Sequence, residues 1–215
     1  MSNGFQPGQV CEALDAALIE QPALVDHFSH VEIILLDRPN FLAAKHYLHD
    51  GKIRSIASRY LRKRAGDALH ADISKGQSVF CYTYPAGIFQ VISEYYANIH
   101  CSHFSSVIWH ALSDKAADHK KVMFYLLSDD AMTVMQVKDN QLVFNKQFRL
   151  RAYEDAVYYL MACKRMLQPD MINHVTIETD RARFGAIDES VIRADHQIHL
   201  PSIEVLFTQY KACVS

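Results

Sequence analysis

The amino-acid sequence predicts an α/β protein with mixed sheets, and its second half carries the strongest signal. Three apolar runs of strand length, Val122–Ser128, Met132–Val137 and Leu142–Phe148, follow one another closely. Polar breaks at Ser128–Asp130 and Lys138–Asn140 separate these runs, as hairpin turns do. The order therefore predicts a three-stranded antiparallel meander.

A helix and a fourth strand follow the meander. Glu154–Leu167 has helix length and is closed by Pro169, and Val175–Ile177 returns to β-branched residues. A strand reached through a helix is expected to lie parallel in the same sheet. The helix segment Ala156–Cys163 is apolar almost all round, so we expect burial on more than one side, against the sheet and against a second lobe or a partner.

The first half of the chain gives a weaker pattern of alternating elements. We expect a helix in Gln9–Phe28, a strand at Val31–Leu36, a mostly helical region over Phe41–Ala65, a strand at Val79–Tyr84, a helix over Ala86–Asn98 and a strand at Cys101–Val107. The polar stretch Ser113–Lys121 predicts a boundary between two lobes, residues 1–119 and 120–215.

Composition narrows the function classes. The chain has 215 residues, 50% of them hydrophobic, with Lys+Arg 22 against Asp+Glu 24. With nearly equal numbers of basic and acidic residues, the protein has no overall electrostatic field that would attract nucleic acid or a membrane surface. No apolar run reaches the roughly 20 residues of a membrane span. The cysteines are odd in number, scattered and without a C-x-x-C pair, which argues against disulfides and structural zinc. We expect a cytoplasmic protein.

The meander, helix and parallel strand form the core of the ribonuclease H-like fold, which occurs twice in actin-like ATPases. The run Asn145–Tyr159, with its strand end, its Glu154-Asp155 helix start and its paired tyrosines, resembles an uncharacterised bacterial domain family of actin-like fold. Val31–Tyr47 is similar to the corresponding part of that family's first lobe, and the likeness spans Phe28–Thr179. The resemblance implies two lobes. It also implies a meander opening the first lobe, which this chain lacks unless the protein starts upstream.

An actin-like ATPase would hold phosphate in the first hairpin of each lobe. The equivalent turn, Ser128–Thr133, supplies Asp129 and Thr133 as candidate ATP and magnesium contacts. It has no glycine, whose missing Cβ would let backbone N–H groups approach the anion. We therefore expect no cofactor. A solvated turn is the simpler interpretation of the acidic residues.

The sequence also argues against two kinds of metal site. A two-metal nuclease of this fold needs an Asp in the first strand, and Val122–Leu127 has none. The densest histidine cluster, His100–His103, alternates its side chains across a strand, so its members do not converge on one ion. The sequence therefore predicts no metal site and no catalytic residue.

One basic helix face offers an interaction site. Arg59, Arg62 and Lys63 fall together at helical spacing. A solvated face is the default interpretation, and contact with phosphates or an acidic partner is the functional one.

The leading hypothesis is a non-catalytic actin-like interaction or scaffold module whose nucleotide site has decayed. The alternatives are a nucleotide-dependent switch or ATPase using Asp129 and Thr133, and a nucleic-acid-binding module using the Arg59 face. The partner is not identified by the sequence. An open sheet edge in the first lobe, which a second copy would complete, predicts a homodimer.

Overall fold

The computed structural model describes residues 7–21, 28, 31–36, 38–49, 52–61, 66–73, 77–116, 120–127, 131–177, 194–201 and 205–206. The elements in these ranges are, in chain order, α1 (Pro7–Glu20), β1 (Val31–Leu35), β2 (Asn40–Ala44), α2 (His46–His49), α3 (Ile53–Tyr60), β3 (Asp67–Ile73), β4 (Ser78–Pro85), α4 (Ala86–Tyr95), β5 (Ile99–His103), α5 (Phe104–Ser113), β6 (Lys121–Leu127), β7 (Ala131–Lys138), β8 (Gln141–Arg149), α6 (Tyr153–Leu167), β9 (Met171–Ile177) and β10 (His196–Leu200). Within these ranges, no helix is long and apolar enough to cross a bilayer.

The second half forms a five-stranded sheet in the order β10-β9-β6-β7-β8. β7 pairs antiparallel with both β6 and β8, while β9 lies parallel to β6 and β10 lies parallel to β9. The predicted meander, helix and parallel strand are confirmed.

The central strand β6 is apolar throughout because both faces of the sheet are covered. Val122, Phe124 and Leu126 pack in the core that contains α5. Their neighbours Met123 and Tyr125 point the other way and pack in the core that contains α6. Alternation along a strand thus sends successive apolar side chains into two separate cores.

A two-residue turn joins β7 to β8. Asp139 and Asn140 have φ angles of 48° and 60°, and β7 ends at Lys138 opposite Gln141. Positive φ at both central residues is the type I′ geometry, whose twist matches that of the flanking strands. The hairpin predicted at Lys138–Asn140 is confirmed.

We expect Asn140→Ala to lower the free energy of unfolding by about 1 kcal/mol, because a Cβ is strained at positive φ in residues other than Gly, Asn and Asp. Asn140→Gly is the matched control and is expected to leave stability equal or higher. Urea unfolding followed by circular dichroism measures both changes. Equal destabilisation by the two variants would contradict the turn assignment.

The first half contains two smaller sheets. β1 and β5 form a parallel pair, and β2, β4 and β3 form an antiparallel sheet with β4 in the middle. α1 precedes β1, and α4 follows β4, as predicted.

Two predictions in the first half are wrong. Phe41–Ala44, which the sequence predicts to be helical, lies in the strand β2, because pairing with β4 overrides the helix propensity of Leu42, Ala43 and Ala44. The strand expected over Cys101–Val107 ends at His103, where α5 begins. β3 was not predicted at all.

The largest cluster of buried side chains joins the halves. Phe80 of β4 and Trp109 of α5 pack with Phe124, Met135 and other residues of the five-stranded sheet. The predicted lobe boundary at residues 119 and 120 is not tested by these contacts and stays a prediction.

Candidate functional site

The three sheets meet at a set of buried polar side chains, which we call the junction cluster: Asn40, Asp72, Tyr82, His103 and Asn145. They come from β2, β3, β4, β5 and β8. All but Asn40 are classed among the buried residues of the chain. Buried polar groups are costly unless they are hydrogen-bonded, so their partners define what the cluster does.

Asp72 lies at the centre of the cluster and is 6% exposed. The Tyr82 hydroxyl donates to Oδ1 over 2.8 Å, and the His103 backbone N–H donates to Oδ2 over 2.9 Å. The His70 Nε2 atom lies 3.5 Å from Oδ1. One carboxylate thereby connects the three-stranded sheet to the end of β5.

Tyr82 supports the same connection from β4. Its hydroxyl also lies 3.0 Å from the carbonyl oxygen of Cys101, so two acceptors surround one donor. Its ring centroid is 5.2 Å from that of His103 and 5.4 Å from that of His70. The aromatic ring therefore fills the space between the two histidines.

His103 ends β5 and caps α5. Its Nδ1 accepts a hydrogen bond from the Ser105 N–H over 3.0 Å, so the ring proton is on Nε2. Nε2 lies 2.8 Å from the Arg38 carbonyl oxygen, to which it donates, and 3.2 Å from the Asn40 side-chain nitrogen. Both ring nitrogens are therefore engaged within the protein.

Asn40 carries the cluster across to the five-stranded sheet. Its Oδ1 accepts a hydrogen bond from the side chain of Asn145, which is 105 residues later in the chain. Its nitrogen also lies 3.4 Å from Ser105 Oγ. In the part of the chain that the structure describes, Asn145 Oδ1 is buried and receives no hydrogen bond.

Burial shifts the titration of these groups. It raises the pKa of Asp72, against the opposing effect of the hydrogen bonds from His103 and Tyr82. Burial lowers the pKa of His70, which the Asp72 charge opposes. It also raises the pKa of Cys81 and of Cys101 to about 12, so both thiols stay protonated at neutral pH.

The polar groups of the junction cluster are engaged in hydrogen bonds that hold the structure together. The Asp72 carboxylate accepts at both oxygens, the His103 ring is engaged at both nitrogens, and the nearby thiols are protonated. Within the described ranges, no group of three or more His, Cys, Asp or Glu residues is placed to hold a metal ion. The junction cluster holds three sheets in one arrangement.

The structure places only some of the residues singled out from the sequence. Thr133 is 6% exposed in β7, opposite Leu126 and Gln147. Asp129 lies outside the described residues, so the predicted nucleotide contacts stay a prediction. The Asp155 carboxylate accepts from the N–H groups of Arg151 and Ala152, which lowers its pKa and accounts for an acid at this helix start.

The basic face is described only in part. Arg59 is exposed in the last turn of α3, whereas Arg62 and Lys63 lie outside the described residues. Tyr60, the last residue of this helix, is exposed next to Phe41. The basic interaction site stays a prediction.

Sequence reasoning missed the junction cluster itself. In the sequence, His103 stands out only as part of a histidine cluster, and Asp72 lies in a strand that was not predicted. The one available signal was the alternation of Asp67–Ile73, where His70 and Asp72 share a face opposite Leu69 and Ala71.

The strand order and the helices on both faces of the five-stranded sheet define a protein of actin-like fold. The chain is similar to a Bacteroides thetaiotaomicron protein with actin-like ATPase fold and unknown function, at 15% identity and a TM-score of 0.74, over 89% of this chain and 76% of that one. The chain belongs to the family described as protein of unknown function (DUF3822), which matches residues 1–175. Both the fold and the family resemblance expected from the sequence are confirmed.

The comparison with solved structures also found two more distant matches. One is the PilM-PilN type IV pilus biogenesis complex, at 10% identity and a TM-score of 0.50, over 91% of this chain and 74% of that one. The other is the cytoplasmic domain of EpsL, an inner membrane component of the type II secretion system of Vibrio cholerae, at 10% identity and a TM-score of 0.46, over 94% of this chain and 81% of that one. None of the curated proteins compared with this chain matches it.

Proposed function

We propose that this protein is an interaction module of actin-like fold that binds another protein without hydrolysing nucleotide. The observation that carries the proposal is the junction cluster. Its hydrogen bonds connect the sheets through buried side chains, so the place where they meet is filled by the protein itself.

Two further features support a protein partner. The segment Ser128–Thr133, in which the sequence predicts a hairpin, has no glycine to bring backbone N–H groups close to a phosphate. In addition, one of the solved structures similar to this chain is a complex of two proteins, PilM and PilN. Self-association, predicted from the sequence, belongs to the same proposal. A cytoplasmic location also belongs to it, supported by free thiols at Cys11, Cys81, Cys101 and Cys163.

We expect calorimetric titration with ATP and magnesium to show no saturable binding up to about 1 mM, which corresponds to a free energy weaker than roughly −4 kcal/mol. The titration is repeated with Asp129→Ala and, as a control, with Asp170→Ala, an exposed acid of the same half. Saturable binding that Asp129→Ala removes and Asp170→Ala preserves would overturn the proposal and support a nucleotide switch.

The basic-helix alternative has its own test. Arg59 is exposed, so binding of nucleic acid through this face should weaken steeply with salt and vanish on neutralising Arg59, Arg62 and Lys63. We expect no such salt-dependent binding, because the formal net charge of the chain is −2.

A further inference from the structure

The outward side of α6 is apolar and exposed. Ala156, Leu160 and Cys163 pack against the five-stranded sheet. On the other side, Tyr158 is 68% exposed and Met161 is 59% exposed. The described residues leave this side of the helix exposed, so the second covering layer that the sequence predicts is left to a partner.

The described residues of the first half do not cover this surface. α5 packs on one face of the five-stranded sheet, whereas α6 packs on the opposite face. Large apolar side chains that share one helix face and remain exposed are typical of an interaction surface. The remaining question is which partner fits it.

The exposed residues form a stripe with opposite charges at its ends. At roughly 100° per residue, Glu154, Tyr158, Met161, Ala162 and Arg165 fall within an arc of roughly 100°. All five are exposed. We call this set the α6 stripe. Its acidic residue is near the start of the helix and its basic residue near the end.

This arrangement is complementary to itself. If a second α6 stripe is placed antiparallel, with a two-fold axis between positions 159 and 160, Tyr158 faces the partner's Met161 and Glu154 faces the partner's Arg165. Methionine sulfur packs favourably on aromatic rings, and the two symmetric ion pairs fix the antiparallel direction. A single alignment of the two helices therefore allows both the aromatic contacts and the ion pairs.

We propose that a second copy of this chain docks on the α6 stripe through an antiparallel, two-fold helix pair. The inference rests on the proposed interaction function and gives it a partner and a surface. One helix face buries an area at the lower end of specific interfaces, so the dimer dissociates on dilution, with a dissociation constant on the order of micromolar.

Sedimentation velocity over a wide concentration range tests the proposal with charge variants. Arg165→Glu and Glu154→Arg each place like charges opposite one another twice, so each weakens dimerisation at least about tenfold. The double variant Glu154→Arg with Arg165→Glu restores opposite charges and recovers the dimer. Lys164→Glu is the matched control: it makes the same change of charge at an exposed neighbouring residue that lies outside the stripe, and leaves the dimer intact.

Thermal unfolding of every variant shows that each is folded, since all the changed residues are exposed. A monomer at all concentrations would overturn the proposal, as would a dimer that none of the variants weakens. The second outcome would direct attention to the sheet edge at β1. Either outcome leaves the proposed function open to another protein partner, whereas ATP binding would remove that function and leave this test unchanged.

Discussion

Trp109→Ala is expected to lower the free energy of unfolding by about 4 kcal/mol, the largest single effect that the structure predicts. Trp109 is 1% exposed and lies in the core between Phe80 of β4 and the five-stranded sheet. Truncation removes the largest side chain of the cluster that joins the two halves. The cavity it leaves is surrounded by elements whose mutual packing limits relaxation.

Trp109→Phe serves as the control. In the described part of the chain, the indole Nε1 is buried and has no hydrogen-bond partner. Phenylalanine keeps most of the ring volume and removes the unpaired N–H donor, so we expect the free energy of unfolding to fall by no more than about 2 kcal/mol. Because Trp109 is the only tryptophan, unfolding of both variants is followed by circular dichroism instead of fluorescence. Equal losses in the two variants would contradict the packing described for this ring.

Asp72→Ala is expected to lower the free energy of unfolding by about 3 kcal/mol. The His103 N–H would then be buried without an acceptor, whereas the Tyr82 hydroxyl would keep only the Cys101 carbonyl. The substitution therefore removes the hydrogen bonds by which the carboxylate connects two sheets.

Asp72→Asn is expected to cost less than about 1 kcal/mol at neutral pH. The amide oxygen would accept from the His103 N–H, and the amide nitrogen would donate to the Tyr82 oxygen. The Tyr82 hydroxyl would donate to the Cys101 carbonyl, which already lies 3.0 Å away. The His103 N–H and the Tyr82 hydroxyl both keep a partner, and no charge is buried.

The wild-type protein and Asp72→Asn are expected to differ in how their stability depends on pH. Burial raises the pKa of Asp72 above its ordinary value of 3.8, so the folded state binds this proton more tightly than the unfolded state. The stabilisation from protonating Asp72 is full below pH 3.8 and is lost as pH rises through the raised folded pKa. The stability of the wild-type protein relative to Asp72→Asn should therefore fall as pH rises. Urea unfolding of both proteins at acidic and neutral pH measures this difference in the free energy of unfolding. If the wild-type protein became more stable relative to Asp72→Asn as pH rises, the burial assigned to Asp72 would be contradicted.

Local patterns predicted β6, β7 and β8 well because each of these strands is next to its partner in sequence. The β7–β8 hairpin requires only a turn of Asp139 and Asn140, whose side chains tolerate positive φ. The helix over Glu154–Leu167 has an acidic start and an uninterrupted apolar pattern. In such segments the local preference and the final fold agree.

The first half was predicted less well because its strands depend on distant pairing. β2 contains residues that favour helix, and it is a strand only because β4 pairs with it some 40 positions later. α5 begins at a histidine cap, which no common helix-start pattern contains. The sequence predicts that a second lobe or a partner covers the outer side of α6, and apolar composition alone does not say which of the two does so.

By itself the sequence determined the α/β class, the meander with its helix and parallel strand, and the family resemblance, because these depend on the order and spacing of neighbouring segments. Only the tertiary structure decided the junction cluster and the α6 stripe. The first brings together side chains up to 105 residues apart, and the second is defined by what the folded chain leaves uncovered. Both depend on packing between distant segments, which short-range periodicity does not encode.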